Sequence, residues 1–129
     1  MIFEELKGQT IKEIGDLAVG SERVTFLMSD GKEYLMLHSQ DCCESVSIED
    51  IAGDTKDLID SEILSAEEVT SENKNPEGVP VPEYQDSFTW TFYKLSTIKG
   101  SVTIRWYGSS NGYYSESVDF HEKGKGFWD

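Results

Sequence analysis

The stretch from Ser87 to Tyr107 constrains the fold of this chain more than any other. Phe88, Trp90 and Phe92 alternate with Thr89, Thr91 and Tyr93, and beyond Lys99-Gly100 the residues Val102, Ile104 and Trp106 alternate with Thr103, Arg105 and Tyr107. A period of two sends successive side chains to opposite faces of a strand, and aromatic and β-branched residues suit a pleated, half-buried surface. The pattern therefore predicts two long antiparallel strands, with Trp90 and Trp106 on the buried face and the tyrosines opposite. Gly108-Ser109-Ser110-Asn111-Gly112 is a turn cluster, and Tyr113 to Phe120 reads as a further strand, giving a three-stranded meander.

The N-terminal part carries shorter signals. Phe3-Glu4-Glu5-Leu6-Lys7 reads as one helical turn ended by Gly8, since glycine takes the left-handed conformation that closes helices. Strands are expected at Thr10–Ile14, Arg23–Met28 and Glu33–His38, the last two joined through Asp30-Gly31, a strong hairpin signal. Apolar residues occupy both faces of the third, so it should be central or covered on both sides. Val46 and Ile48 continue an extended pattern, Asp54 can cap a short helix over Thr55–Ile59, and Ile63–Thr70 suggests another strand. All three prolines fall between Ser71 and Asp86, where periodicity vanishes, so 71–86 is a loop. Structureless loops longer than about 12–15 residues are uncommon in compact domains and are usually functional or disordered. The tail 121–129 is polar and glycine-rich and is expected to fray. The fold class that emerges is α+β: a single domain over 1–129, mainly antiparallel sheet of about six or seven strands, with one or two short helices.

Composition narrows the function classes. The 129 residues are 37% hydrophobic, enough for one core and too much for wholesale disorder. No apolar run reaches the length of a membrane span, and Met1-Ile2-Phe3-Glu4-Glu5 lacks the basic end and apolar stretch of a signal peptide, so a cytoplasmic protein is expected. The net charge of −14 is unevenly placed: residues 41–86 hold 14 acidic and 2 basic residues, whereas 87–129 hold 4 and 5. Affinity for a phosphate backbone depends on Lys and Arg displacing counterions, so direct nucleic-acid binding is disfavoured. A field concentrated in the middle third would instead steer a basic protein surface into contact. Glu49, Asp50, Asp54, Asp57, Asp60, Glu67 and Glu68 are the candidate partner-binding residues.

Two other sets could carry chemistry. Tyr93, Arg105, Tyr107, Tyr113 and Tyr114 could stack on and pair with a small ligand such as a nucleotide. The run His38-Ser39-Gln40-Asp41-Cys42-Cys43-Glu44 contains the only compact group of reactive side chains, and His38, Asp41, Cys42, Cys43 and Glu44 could offer nitrogen, oxygen and sulfur to a metal. Structural zinc sites draw on spaced cysteine pairs, which are missing here, and Asp41 and Glu44 would oppose formation of a thiolate. Adjacent Cα atoms lie about 3.8 Å apart, below the roughly 4.4–6.8 Å usual for a disulfide, which argues against a structural bridge between Cys42 and Cys43. Neither a glycine-rich phosphate loop nor a nucleophile elbow occurs. No catalytic residue and no cofactor is expected.

The segment from His38 through Cys42-Cys43-Glu44-Ser45-Val46 to Ile48-Glu49-Asp50-Ile51, and the run from Trp90-Thr91-Phe92-Tyr93-Lys94 through Ile104-Arg105-Trp106-Tyr107-Gly108 to Asn111-Gly112-Tyr113-Tyr114-Ser115, together resemble a domain of unknown function found in small bacteriophage and prophage proteins. The resemblance implies a phage source rather than a mechanism. With the acidic middle segment it leads to the expectation of a non-enzymatic, phage-encoded binding protein. Such a protein would inhibit a host or defence protein with a basic surface, occupying a site that otherwise holds nucleic acid. The alternatives are a nucleotide-sequestering protein and, behind it, a metal- or thiol-dependent enzyme.

Overall fold

The computed structural model describes residues 3–40, 43–72, 87–110 and 115–123. Eight strands are present among them: β1 (Ile11–Gly15), β2 (Arg23–Met28), β3 (Glu33–Leu37), β4 (Ser45–Ala52), β5 (Ser65–Glu72), β6 (Ser87–Thr97), β7 (Gly100–Ser110) and β8 (Asp119–Glu122). They form two four-stranded sheets, ordered β1-β2-β3-β8 and β4-β7-β6-β5, with every pairing of neighbours antiparallel. The antiparallel sheet thus follows the sequence pattern, and the expected α-helices do not. The described residues contain only two single 3-10 turns, Phe3–Leu6 and Thr55–Leu58. Gly8, at φ +90°, ends the first before a ladder of i→i+4 bonds could begin, and so short a helix repays little of its nucleation cost. In the second, the Asp54 carboxylate accepts from Lys56 N at 3.0 Å, as expected of a cap, and Ile59 N closes back onto Lys56 O.

The two sheets face one another across a shared core. On the first sheet Val24, Phe26, Met28, Tyr34, Met36 and Phe120 turn inward; on the second Val46, Ile48, Tyr93, Leu95, Val102, Ile104 and Trp106 do so. Trp106 Nε1 donates to Met36 Sδ across the gap at 3.3 Å. Phe120 is the aromatic hub, with ring centroids 5.2 Å from Phe3, 5.8 Å from Phe26 and 5.5 Å from Tyr34. This hub explains a departure from the expected meander. β7 is flanked by β6 and by β4, whose eight residues offer it a longer ladder than four-residue β8 could. β8 instead pairs with β3, where Phe120 fills the core. β3 is thereby central, and Leu35 and Leu37 on its other face are also buried.

Among the described residues, loops bond the backbone of the outer strands β4 and β1. Gly20 N and Ser21 O bond the backbone of Ile48 on β4, at 2.8 Å each. Asp60 N bonds Ile11 O on β1, while Gly8 N donates to Ile63 O and Ile63 N to Gln9 O, which ties the chain entering β5 to the first sheet. None of the described helical turns is long and apolar enough to cross a membrane.

Candidate functional site

The acidic middle segment does not gather on one face; it runs around the second sheet. Glu49 and Asp50 sit at a bulge in β4, where both stand against Arg105 of β7. An extra residue in one strand re-aims its side chains, and here it lets two carboxylates reach one guanidinium. Glu49 Oε2 lies 2.5 Å from both Nε and Nη2 of Arg105, and Asp50 Oδ2 lies 3.5 Å from Nη2. The same guanidinium stacks on the Trp90 ring at 5.5 Å. Asp54, Asp57 and Asp60 belong to the turn that joins β4 to β5: Asp54 is the cap, the Asp57 carbonyl accepts from Thr97 Oγ1, and Asp60 takes a positive φ of 59°. Glu67 and Glu68 lie on β5, at the opposite edge of the sheet from Glu49 and Asp50.

At that edge the fold brings in acids from outside the middle segment. The N-terminal turn lies beside β5, and the Glu4 carboxylate accepts the backbone N–H of Glu68 at 2.9 Å. Glu4, Glu5, Glu67 and Glu68 are all exposed. Lys94, cross-strand from Glu67, is the basic residue paired with this strand. The buried Tyr93 phenol registers the resulting field: burial first, then Glu68, then Asp119 and Glu4, push its pKa far above the ordinary tyrosine value. Sequence reasoning missed Glu4 and Glu5, which read only as the first turn of a helix. Nothing in their local spacing ties them to residues more than sixty positions away.

The aromatic set divides. Arg105 and Tyr107 share the outer face of the second sheet, as the alternation indicates. Tyr93, expected beside them, points into the core and is 0% exposed. Trp90, expected in the core, is on the outer face, 4.6 Å from the Tyr107 ring and buried there. The inward face of upper β6 meets a buried carboxylate there: Thr89 Oγ1 donates to Glu116 Oε1 at 2.9 Å. Tyr113 and Tyr114 lie outside the described residues.

The reactive run around His38 also takes definite form. His38 and Glu44 are a buried pair, Nε2 to Oε2 at 2.7 Å, with side chains 4% and 0% exposed. His38 Nδ1 lies 2.6 Å from the Ser117 carbonyl, which can only accept, so Nδ1 carries hydrogen and one further proton sits between Nε2 and Oε2. Gln40 Nε2 donates to the Glu44 carbonyl and carboxylate. Beside this pair Glu116 accepts from Thr89 and from Ser110 Oγ, and a Cβ on Gly108 would come 2.8 Å from the Glu116 carbonyl. Both histidine nitrogens are thus engaged structurally. Cys43 is exposed and disulfide-bonded, contrary to the expectation from Cα spacing, a rule that disfavours a bridge between neighbours without forbidding it. The chain's other cysteine, Cys42, lies outside the described residues with Asp41. Among the described residues no group of three or more His, Cys, Asp and Glu side chains is placed to hold a metal ion.

Fold and site together define a two-sheet antiparallel β protein with an acidic rim where the N-terminal turn meets β5. The chain belongs to the family described as a domain of unknown function (DUF7448), which matches residues 4–120. No curated protein and no solved structure matches it.

Proposed function

We propose that this is a small phage-encoded binding protein that inhibits a host or defence protein by engaging a basic surface that otherwise holds nucleic acid. The observation that supports this reading most is the acidic rim at the N-terminal turn and β5, where Glu4 and Glu5 join Glu67 and Glu68. A carboxylate row of this kind raises the encounter rate with a basic partner and rejects acidic ones, an effect screened by salt. Glu49 and Asp50 share the single positive charge of Arg105, whereas Glu67 and Glu68 on β5 are exposed beside Glu4 and Glu5. The phage source rests on the resemblance of the His38–Ile51 and Trp90–Ser115 segments.

A nucleotide held by Arg105 has less support, because a phosphate would have to displace Glu49 and Asp50 from the guanidinium and would find Tyr93 turned away. The test compares the unaltered protein with a Glu5→Lys/Glu67→Lys variant as bait in bacterial lysate at low and raised salt. A nucleic-acid-binding protein retained by the first, lost to the second and released by salt is the expected result. Equal capture by both baits overturns the proposal.

A further inference from the structure

A cleft of about 440 Å³ opens beside β1, between the β1–β2 loop and the second 3-10 turn. That volume lies within the range of about 300–1,000 Å³ usual for small-molecule sites. Its floor is apolar: Ile14, Leu17 and Ile59 are half-buried and pack against the core. Its walls are joined by backbone bonds, since Gly20 N and Ser21 O tie the loop to Ile48 on β4 and Asp60 N ties the turn back to Ile11 O on β1. The cleft is thus pre-formed, and none of the residues lining it adjoins a segment outside the described residues. The rim carries the charge. Lys12 is the extra residue of a bulge in β1, a device that re-aims a side chain, and Lys56 stands on the turn that forms the other wall. Among the described residues neither ammonium group has an ion pair or hydrogen bond, and the Thr55 hydroxyl on the same wall has no partner either. Arg105, by contrast, is already held by Glu49 and Asp50.

We propose that this cleft binds a small monocarboxylic acid with an aromatic or branched aliphatic body. The inference goes beyond the acidic-rim reading, because none of the lining residues belongs to that rim. A carboxylate placed between the two walls would accept charge-assisted hydrogen bonds from Lys12 and Lys56, with the Thr55 hydroxyl as a further donor. No existing ion pair has to be broken for it to do so. The body of the acid would cover Ile14, Leu17 and Ile59 and remove their remaining apolar surface from water. Glu13 and Asp16 line the same cleft and set its charge limit. They would repel a second negative group, so diacids and polyphosphates are rejected while a single carboxylate is matched by two lysines.

The probe is naphthoate, titrated into the full chain by calorimetry and followed through methyl resonances. Naphthalenemethanol, which keeps the rings without the charge, and acetate, which keeps the charge without the rings, are the controls. Lys12→Gln and Lys56→Gln each remove one exposed ammonium group, and Ala18→Trp fills the cleft from an exposed position. The expected outcome is one-to-one binding of naphthoate about tenfold tighter than of either control, weakened about tenfold by each lysine change and abolished by Ala18→Trp. The methyl shifts should centre on Ile14, Leu17, Ala18 and Ile59. Lys32→Gln, on the β2–β3 turn, removes the same charge away from the cleft and should leave binding unchanged. Equal weakening by Lys32→Gln would trace the effect to net charge and overturn the site. Absence of saturable binding, or naphthalenemethanol binding as tightly as naphthoate, overturns it too. The acidic-rim reading is decided separately by the two lysate baits.

Discussion

Replacing Glu44 by alanine should be among the most damaging single changes in this protein, and replacing it by glutamine among the mildest at the same position. Alanine leaves His38 Nε2, at the end of a side chain only 4% exposed, facing a void where a 2.7 Å partner had been. Breaking a buried pair by removing one member costs about 3–5 kcal/mol. Glutamine keeps the shape and can donate its amide hydrogen to a neutral His38 whose Nδ1 still donates to Ser117, so the loss falls to about 1 kcal/mol, that of an ordinary hydrogen bond. For a domain stable by about 5–15 kcal/mol the first change removes a large share of the whole. In thermal terms it corresponds to a fall of roughly 10–20 °C in Tm for a chain of this size. Urea titrations of both variants, with slopes compared to that of the unaltered protein, measure the difference. A double-mutant cycle with His38→Ala then isolates the coupling. Equal losses for alanine and glutamine, or a cycle closing within about 0.5 kcal/mol, would show that the pair does not act as described.

Three further outcomes are expected. Tyr93 is held protonated in the folded state above its ordinary value of 10.0, chiefly by burial and then by Glu68, so its contribution to stability is complete below that pH. It declines by about 1.4 kcal/mol per pH unit as pH rises beyond it, and Tyr93→Phe should flatten the alkaline limb of a pH-resolved urea series. Gly53, at φ +105°, would place an added Cβ 2.3 Å from the Ser101 carbonyl, so Gly53→Ala should lower Tm by more than the same change at the open turn glycine Gly31, read by calorimetry. Asp54→Ala removes the carboxylate that caps Lys56 N and should cost about 1 kcal/mol in chemical denaturation, with Asp54→Asn largely restoring it.

Local signals in the sequence were read well where the structure is decided locally. The Asp30-Gly31 hairpin joins β2 and β3, Arg23–Met28 is a strand to the residue, and the alternation from Phe88 to Tyr107 is the β6–β7 hairpin. What alternation cannot say is which of its two faces turns inward. On β6 the more apolar set, Phe88, Trp90 and Phe92, points outward because the core side needed Thr89 for Glu116 and Tyr93 for the space beside Phe3. The destination of β8 was equally hidden, since Val118 and Phe120 suit either sheet and the choice was made by β4 claiming β7. Of the candidate surface, the charge excess was legible and its geometry was not. Glu49 and Asp50 are the counter-charge of Arg105, and the partner of the Glu68 N–H comes from the first turn of the chain.

Splitting the chain's strands between two sheets has a consequence for the order in which the molecule can be completed. β1, β2 and β3 leave the ribosome early, yet the strand that finishes their sheet is β8, and the bond from His38 to Ser117 joins positions 79 apart. The second sheet, contained between Ser45 and Ser110, can pair while the first still lacks its last member. Until Phe120 arrives, Phe3, Phe26 and Tyr34 have no hub, and β3 presents a bare apolar edge to whatever else is nearby in the cell. Contacts so distant in sequence form slowly, so closing the first sheet should be the slow part of folding.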